Sequence, residues 1–302
     1  MLIFRIKFNF QNMKSVRFIF VLLVFICSLN SFAQQAWTQK KGEGYFQIGS
    51  SYLNYSDLHI GNVTFSKLPR PVTEIIVSSY NEFGITDKLT GIVSVPFHSV
   101  SVGEFDTTSL SYLKFDKGSL TAFGNVTTGL LYNLFSKNGN VMSTKLSASF
   151  NTSSRQENTG LSTGYNAFIL EGSLLAGRGT QNYFTSGEIS TVISPYNFLS
   201  RIQVNAQIGK RFLKSKKLIL IFSLATNTYL SDIAKSNSLT VQLANDYTGL
   251  YNAKQAYYAI NLKAGFEFST TWSMWGSIAG GEATNIGAGI NYALSVGYKL
   301  KK

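Results

Sequence analysis

The chain of 302 residues has little of the chemistry on which most enzymes and metal proteins depend: one cysteine, two histidines and four prolines. A single cysteine cannot form a disulfide within the chain, and so few thiols and imidazoles leave little for a metal site. Only 14% of the residues are charged whereas 44% are hydrophobic, which is too apolar for a disordered chain. Abundant glycine and aromatic residues favour strands and turns. The composition predicts a folded β protein with no metal and no cofactor.

The N-terminus has the pattern of a cleaved secretory signal. An apolar run from Phe18 to Cys27 follows basic residues and precedes the small-residue site Ser31-Phe32-Ala33. Ten apolar residues are too few for a membrane-spanning helix, which needs about 20. We therefore predict a signal peptide over residues 1–33 and a single mature domain over residues 34–302. The true start codon, the first methionine or Met13, stays open.

The mature chain lacks long hydrophobic runs, the longest being five residues from Leu218 to Phe222, so no transmembrane helix is predicted. What repeats is an alternation of apolar and polar residues in segments of about ten, which is typical of strands in outer-membrane barrels. In the segment from Tyr257 to Phe268, one face carries Tyr258, Ile260, Leu262, Ala264, Phe266 and Phe268, and the other carries Asn261, Lys263, Gly265 and Glu267. Such a strand has one face for lipid and one for water.

Twelve segments show this pattern, and the connections between them tend to alternate between short and long. The predicted strands begin near Gly44, Val72, Leu89, Ser119, Val141, Asn166, Tyr183, Ser200, Leu218, Ala256, Thr271 and Gly287. Long predicted connections include those from Tyr55 to Pro71, from Thr152 to Tyr165 and from Ser231 to Gln255. Short turns at one end and long loops at the other are typical of bacterial barrels. We predict an all-β fold: an antiparallel up-and-down transmembrane β-barrel of about 12 strands with both termini in the periplasm.

A secreted soluble sandwich or solenoid would also alternate and also carry a signal. Two features favour the membrane barrel over it. Aromatic residues cluster at predicted strand ends, as at Trp272 and Trp275, which is typical of interfacial girdles. Polar residues also occupy whole strand faces, whereas the inner faces of a sandwich must be apolar.

A turn motif carries a family resemblance. Residues Tyr80 to Thr90 read YNEFGITDKLT, and the following segment ends in Val95-Pro96-Phe97. This stretch resembles a turn of outer-membrane barrels assigned to the meta pathway of phenol degradation, and the signal ending is similar to those of Bacteroidetes envelope proteins. The resemblance implies a transporter of small, often hydrophobic or aromatic compounds, and it identifies no binding residue.

Candidate catalytic groups are few. His98 and Ser99 are adjacent in one predicted strand, so their side chains point to opposite faces and cannot share a proton. His59 lies in a predicted loop, and Glu104 with Asp106 near His98 is more typical of a solvated loop than of a protease site. We therefore expect no enzymatic activity, no catalytic residue, and a solvated or interfacial His98.

Six charged residues fall on the polar faces of predicted strands, where exposure to lipid would cost a central Lys or Arg about 2 to 4 kcal/mol. They are Lys145, Glu171, Glu188, Arg201, Lys263 and Glu267. We predict that they face the lumen and pair there. Two readings stay open: structural ion pairs that fill a narrow pore, or a constriction that selects among solutes.

Basic residues concentrate at the predicted periplasmic end. The candidate rim consists of Lys210, Arg211, Lys214, Lys216 and Lys217. A secreted chain without a recognition motif gives nucleic-acid binding little support. The rim is expected either to contact anionic head groups or an acidic periplasmic partner, or to consist of solvated lysines that prevent aggregation.

The sequence thus predicts an outer-membrane channel or transporter for small, possibly hydrophobic or aromatic, molecules. Its expected partners are outer-membrane lipids, the solute and the barrel-assembly machinery. A structural or adhesive barrel that acts through its loops is the first alternative, and a membrane-embedded hydrolase is the second. The nine residues from Gln34 to Gly42 are too few for the plug of an energised receptor. Substrate, oligomeric state and the opening of the lumen are not determined by these patterns.

Overall fold

The structure is a computed structural model that describes residues 36–60, 63–65, 71–104, 116–194, 200–212, 217–229, 248–251, 255–284 and 286–302. The predicted signal peptide lies outside the described residues. Within them, no helix is long and apolar enough to cross a membrane.

Sixteen strands are described. They are β1 Gly44–Ile60, β2 Val63–Phe65, β3 Val72–Gly84, β4 Leu89–Val102, β5 Gly118–Phe123, β6 Thr127–Lys137, β7 Asn140–Ser149, β8 Arg155–Gln156, β9 Leu161–Ser162, β10 Ile169–Gly179, β11 Tyr183–Ile193, β12 Arg201–Phe212, β13 Leu218–Tyr229, β14 Ala256–Glu267, β15 Trp272–Thr284 and β16 Ile286–Leu300.

Twelve of these strands form a closed antiparallel barrel, which confirms the predicted fold class and strand number. Neighbours in the wall are mostly neighbours in the chain, in the order β1, β3, β4, β6, β7 and then β10 to β16. The barrel closes where β1 pairs with β16, from Gly44 opposite Leu300 to His59 opposite Ile286. Closure removes the free sheet edges that a bilayer could not satisfy.

Alternation along the strands separates the two surfaces of the wall. On β14 and β16, Tyr258 and Leu294 point outward and are 68% and 69% exposed, as a lipid-facing surface requires. Their neighbours along the chain point into the barrel, where Ser, Gly, Asn and charged side chains prevail. The exterior is a belt of exposed aliphatic and aromatic side chains. Such a belt is stable in lipid and would aggregate in water.

The short connections between wall strands lie at one end of the barrel. Between β6 and β7, Asn138 and Gly139 both have positive φ, at 52° and 79°, which suits a two-residue turn that matches the twist of the flanking strands. The connection from β3 to β4 and that from β14 to β15 are also short and lie at the end that carries Gly44 and Leu300. We call this end periplasmic, since bacterial barrels keep their short turns there.

The wall position next to β4 is shared by two separate strands, β5 and β6, so the fourth strand of the wall is broken. The alternation in the sequence does not predict this break. The periplasmic half of β4 pairs with β6, from Leu89 to Ser94, whereas its other half pairs with β5, from Phe97 to Val102. Between β5 and β6 the chain leaves the ladder at residues 124–126. β7 pairs with β6 only as far as Thr127, so β5 has no described wall strand on its other edge.

Two predicted long connections hold regular structure. The segment from Tyr55 to Pro71 was expected to be loop, yet β1 continues to Ile60 and turns back as β2. The segment from Thr152 to Tyr165 contains the small hairpin of β8 and β9. Of the longest predicted connection, from Ser231 to Gln255, the structure describes residues 248–251 and Gln255.

Candidate functional site

An inner hairpin, residues 151–167, turns from the end of β7 into the extracellular mouth and lies beside the broken strand. It is held there by side-chain hydrogen bonds in place of a strand ladder. The Asn125 amide donates to the carbonyl oxygens of Phe150 and Tyr165, each at 2.8 Å. The Thr163 hydroxyl donates to the Phe123 carbonyl at 2.7 Å. Residues 159–165 are buried as a result.

An apolar cluster, which we call the closure, lies inside the extracellular end of the barrel. Wall residues from β1, β3 and β4 meet Leu161 of the inner hairpin and Leu250 of the segment between β13 and β14. Its buried members are Leu53, Tyr55, Val72, Val100, Val102, Leu161 and Leu250. The Tyr55 hydroxyl also donates to the Thr248 carbonyl. Because these contacts join distant parts of the chain, the closure depends on the inner hairpin and on residues 248–251 being in place.

A polar group of buried side chains lies beside this closure. Nδ1 of His98 is 2.9 Å from Oε1 of Glu74, and the Tyr251 hydroxyl lies 3.1 Å from the same ring nitrogen and 3.2 Å from the same carboxylate oxygen. Tyr251 also packs edge-on against Tyr165 of the inner hairpin. Burial, followed by the Glu74 charge, raises the pKa of Tyr251 well above its usual range, so its hydroxyl stays a donor. These contacts hold residues 248–251 in the mouth.

His98 is therefore not the solvated or interfacial histidine that was expected, since it is 4% exposed and faces the lumen. Ser99 next to it points to the opposite face, as strand parity requires. Among the described residues, no hydroxyl of a serine or threonine bonds to His98. Glu104 is exposed and pairs with Lys117, while Asp106 and the side chain of His59 lie outside the described residues. In the same part of the chain, no group of three or more acidic, His or Cys side chains is arranged to hold a metal.

Three of the six predicted lumen charges form one ion cluster. Nζ of Lys145 on β7 lies 2.8 Å from Glu171 on β10 and 2.8 Å from Glu188 on β11, and its side chain is 3% exposed. Ser173 donates to Glu171, and Ser190 donates to Glu188. The buried ammonium group thus has two carboxylate partners, and each carboxylate also accepts a hydrogen bond from a hydroxyl, which is the pairing that buried charges need. This cluster joins three neighbouring strands across the inner wall.

The other three predicted lumen charges lie on inward faces outside that cluster. Arg201 adjoins it, because Val192 pairs with Arg201 on one side and with Glu171 on the other, and the Arg201 charge acts on Glu171. The Arg201 guanidinium on β12 stacks over the Tyr165 ring at 5.0 Å. Glu267 lies at the periplasmic end of β14 and binds both Arg211, at 2.7 Å, and Lys299, at 2.5 Å. Lys263 lies over the Trp275 ring at 4.6 Å. The structure therefore distributes the six groups over several environments.

The residues of the candidate basic rim also lie in different environments. Arg211 turns inward to Glu267, so its charge is neutralised in the mouth and does not belong to the outer rim. Lys210 is exposed, with Nζ 5.2 Å from the Phe212 ring, and Lys217 precedes β13 and is exposed. Lys214 and Lys216 lie outside the described residues.

Residues 36–41, which we call the strap, enter the periplasmic mouth of the barrel. The segment from Gln34 to Gly42 was expected to be too short for the plug of an energised receptor, and the strap fills only part of the mouth. The carbonyl of fully buried Ala36 accepts a hydrogen bond from Ser143 at 2.6 Å, and the Gln39 backbone donates to Thr90 at 2.8 Å. The Trp37 ring lies so close to β10 that a Cβ at Gly177 would be 2.7 Å from it. A larger residue at Gly177 would therefore have to displace the Trp37 ring from its place beside the strand.

Beside the strap lies a periplasmic cavity of about 450 Å³. Aromatic and charged side chains share its lining, among them Trp37, Tyr45, Phe184, Trp275, Lys263 and Glu267. A second cavity, of about 60 Å³, follows along the wall of β14, β15, β16 and β1. Gln47, Lys263 and Trp275 line both, so they stand where the larger cavity narrows.

Comparison with known proteins agrees with this architecture. No protein family matches the sequence, and the curated proteins give no significant match. The COG4313 outer membrane channel from Pseudomonas putida F1 is similar in structure, with a TM-score of 0.64 at 10% identity over 91% of this chain and 100% of that chain. The CymD monoaromatic hydrocarbon channel and the Pseudomonas putida toluene transporter TodX, each 10% identical, reach TM-scores of 0.44 and 0.43 over 87% and 92% of this chain, and 90% and 95% of their own.

At such identities the likeness establishes the fold. A closed barrel with an apolar belt and a polar interior spans a membrane, and this fold belongs to the bacterial outer membrane. The chain is an outer-membrane β-barrel.

Proposed function

We propose that the barrel is a channel that carries small molecules across the outer membrane and is closed at its extracellular end in this structure. The observation that supports it most is the contrast between the interior and the closure. The wall from β12 to β16 is lined by small and polar side chains that leave cavities, whereas the extracellular mouth is filled by segments that do not belong to the wall.

Apolar or aromatic solutes are the proposed substrate class. The closure consists of Leu, Val and Tyr side chains, so a solute that passes it exchanges water for an apolar surface. The periplasmic cavity is in turn lined by Trp37, Tyr45, Phe184 and Trp275. The turn motif from Tyr80 to Phe97, with its resemblance to transporters of such compounds, supports the same class.

The remaining sequence predictions belong to this proposal. A channel in the outer membrane is secreted, which agrees with a signal peptide over residues 1–33, and its insertion would require the barrel-assembly machinery. Lys210 and Lys217, with Lys214 and Lys216 between them in sequence, would adjoin anionic inner-leaflet head groups. Nothing in this function requires a nucleic acid or a cofactor.

Conductance of the purified protein in planar bilayers tests the function. Leu161→Asp places a charge in the apolar closure, which a buried site does not tolerate, so the inner hairpin should leave the mouth. We expect the native barrel to show small or rare openings and the variant a conductance several-fold larger. Leu161→Met, which keeps an apolar side chain of similar volume at the same buried position, is the control and should behave as the native protein.

The outcome separates the alternatives. Equal, negligible conductance in the native protein and in Leu161→Asp, with both folded by heat-modifiability on gels, would favour a structural or adhesive barrel. Ester hydrolysis that disappears on replacing His98 with Gln would favour the membrane-embedded hydrolase.

A further inference from the structure

Lys263 differs from the other lysines that are placed inside the barrel. Lys145 and Lys299 each contact carboxylates at 2.8 Å or less. Within the described part of the chain, Lys263 has no carboxylate and no hydrogen-bond acceptor, and its contact is the ring of Trp275. Glu267 lies four residues further on the same face, but Arg211 and Lys299 occupy its two oxygens.

The surroundings of Lys263 are polar and neutral. In register, Lys263 lies opposite Ser277 on one side and Ile221 on the other. One row away, Asn261 and Asn291 flank Ala279 across three strands. The side-chain oxygens of both asparagines are buried without a hydrogen-bond partner. Buried polar atoms are normally paired, so two free acceptors beside an uncompensated ammonium group indicate a place for a ligand.

The two cavities give that ligand room and limit its chemistry. The periplasmic cavity of about 450 Å³ is large enough for a small organic molecule, and the aromatic part of its lining suits an apolar body. Its charged lining comprises the carboxylates Glu43, Glu82 and Glu267 and the cations Arg211, Lys263, Lys299 and Lys301. Lys263 lines both this cavity and the cavity of about 60 Å³. An anionic group that reaches this point would gain a charge-assisted hydrogen bond from Nζ.

From this arrangement we propose that Lys263 and Trp275 form a binding site for a small aromatic or otherwise apolar monocarboxylate, with the carboxylate on Nζ of Lys263 and the body in the periplasmic cavity. Hydroxyl groups on the ligand would donate to Asn261 and Asn291. The proposal rests on the channel function, because the site lies on the path through the lumen, and it narrows the substrate class from apolar solutes to their acids.

Equilibrium binding of 4-fluorobenzoate to the detergent-solubilised barrel, followed by ¹⁹F NMR line broadening, tests the site. The uncharged analogue is 4-fluorobenzyl alcohol. We expect Lys263→Gln to weaken fluorobenzoate binding about tenfold or more and to leave the alcohol unchanged, while Lys263→Arg keeps most of the affinity. Lys210→Gln is the matched control, because it removes one positive charge from a lysine that also lies over an aromatic ring, outside the lumen.

The proposal is overturned if Lys263→Gln binds fluorobenzoate as the native barrel does, or if Lys210→Gln weakens binding equally. A parallel measurement of the reversal potential in a KCl gradient distinguishes failure of the binding site from failure of the channel function. Loss of anion preference in Lys263→Gln supports the site. If Lys263→Gln conducts with the same anion preference as the native barrel, the binding site is contradicted and the channel function is not. Binding without conductance in either the native protein or Leu161→Asp contradicts the channel alone.

Discussion

The barrel has two unlike inner walls. Along β3 to β10, buried side chains of β3, β4, β6, β7 and β10 pack with Ala36 of the strap into one core, and the Lys145 cluster connects β7, β10 and β11. Along β14 to β16, the inward positions are mostly Gly, Ala, Ser and Asn, and the cavity of about 60 Å³ follows them, while the larger cavity extends from this side to Tyr80 and Glu82 of β3. A small membrane barrel thus places its internal packing on one side and its free space on the other.

This asymmetry shows how a narrow barrel can have a lumen without losing its core. Inward side chains just fill a barrel of about eight strands, so a wall of twelve leaves room that its side chains can fill or leave open. Concentrating the large side chains and the compensated charges on β3 to β10 leaves space beside β14 to β16. The packed wall, β3 to β10, should therefore determine the stability of the barrel, and the open wall, β14 to β16, should determine which solutes bind or pass.

The largest expected effect is on the ion cluster of the packed wall. Lys145→Met would leave Glu188, whose side chain is 9% exposed, and the partly exposed Glu171 without their lysine, which costs up to about 3–5 kcal/mol. Urea unfolding in detergent should show this loss directly. The triple variant Lys145→Met with Glu171→Gln and Glu188→Gln removes all three charges and should recover most of it. If Lys145→Met is as stable as the native barrel, the cluster does not hold the wall.

A core substitution sharpens the contrast between the walls. Leu131 is 2% exposed in the packed cluster, and Leu131→Ala should cost about 2–5 kcal/mol because it opens a cavity. Ser277→Ala, at an inward position of the open wall, should change the free energy of unfolding by about 0.5 kcal/mol or less. Equal losses in the same unfolding assay would contradict the division into a packing wall and a lining wall.

The smallest structural effect is expected at the break in the fourth wall strand. Asn125→Ala removes the bonds to Phe150 and Tyr165 and leaves their carbonyl oxygens to find other partners, at a cost of about 1–3 kcal/mol. Because those bonds hold the inner hairpin, proteolysis of the hairpin should be faster in this variant. Asn54→Ala, an exposed change on β1, is the control and should leave proteolysis unchanged.

Period-two alternation was sufficient to predict eleven of the twelve wall strands; at the fourth, the predicted start near Ser119 falls on β5, and the wall strand β6 begins at Thr127. Eleven of the twelve predicted strand starts fall within two residues of the start of a described strand, and the twelfth, Asn166, lies three residues before β10. The alternation that places Tyr258 outward and Lys263 inward is a local property, because successive side chains of a strand point to opposite faces. The turn at Asn138 and Gly139 is local in the same sense.

The closure could not be predicted in this way. His98 looked like a solvated residue because its partners, Glu74 and Tyr251, lie 24 and 153 residues away in the chain. At the break at residues 124–126, side chains of the inner hairpin bond the backbone in place of a neighbouring strand: Thr152 bonds Gly124 and Val126, and Thr163 bonds Phe123. The environment of His98 and the break at residues 124–126 leave no periodic pattern in the sequence, because each depends on contacts between segments that are far apart in the chain.

The linear order of residues was enough for the number of strands, their faces and the general character of the wall, since each follows from local periodicity and from the bilayer's demand for a closed sheet. The pairing of charges needed the folded barrel. Lys145 and Lys263 are equivalent by pattern, both inward lysines on alternating strands, yet one is surrounded by carboxylates and the other is not. Strand register across the wall, which pairs residues far apart in sequence, makes that difference.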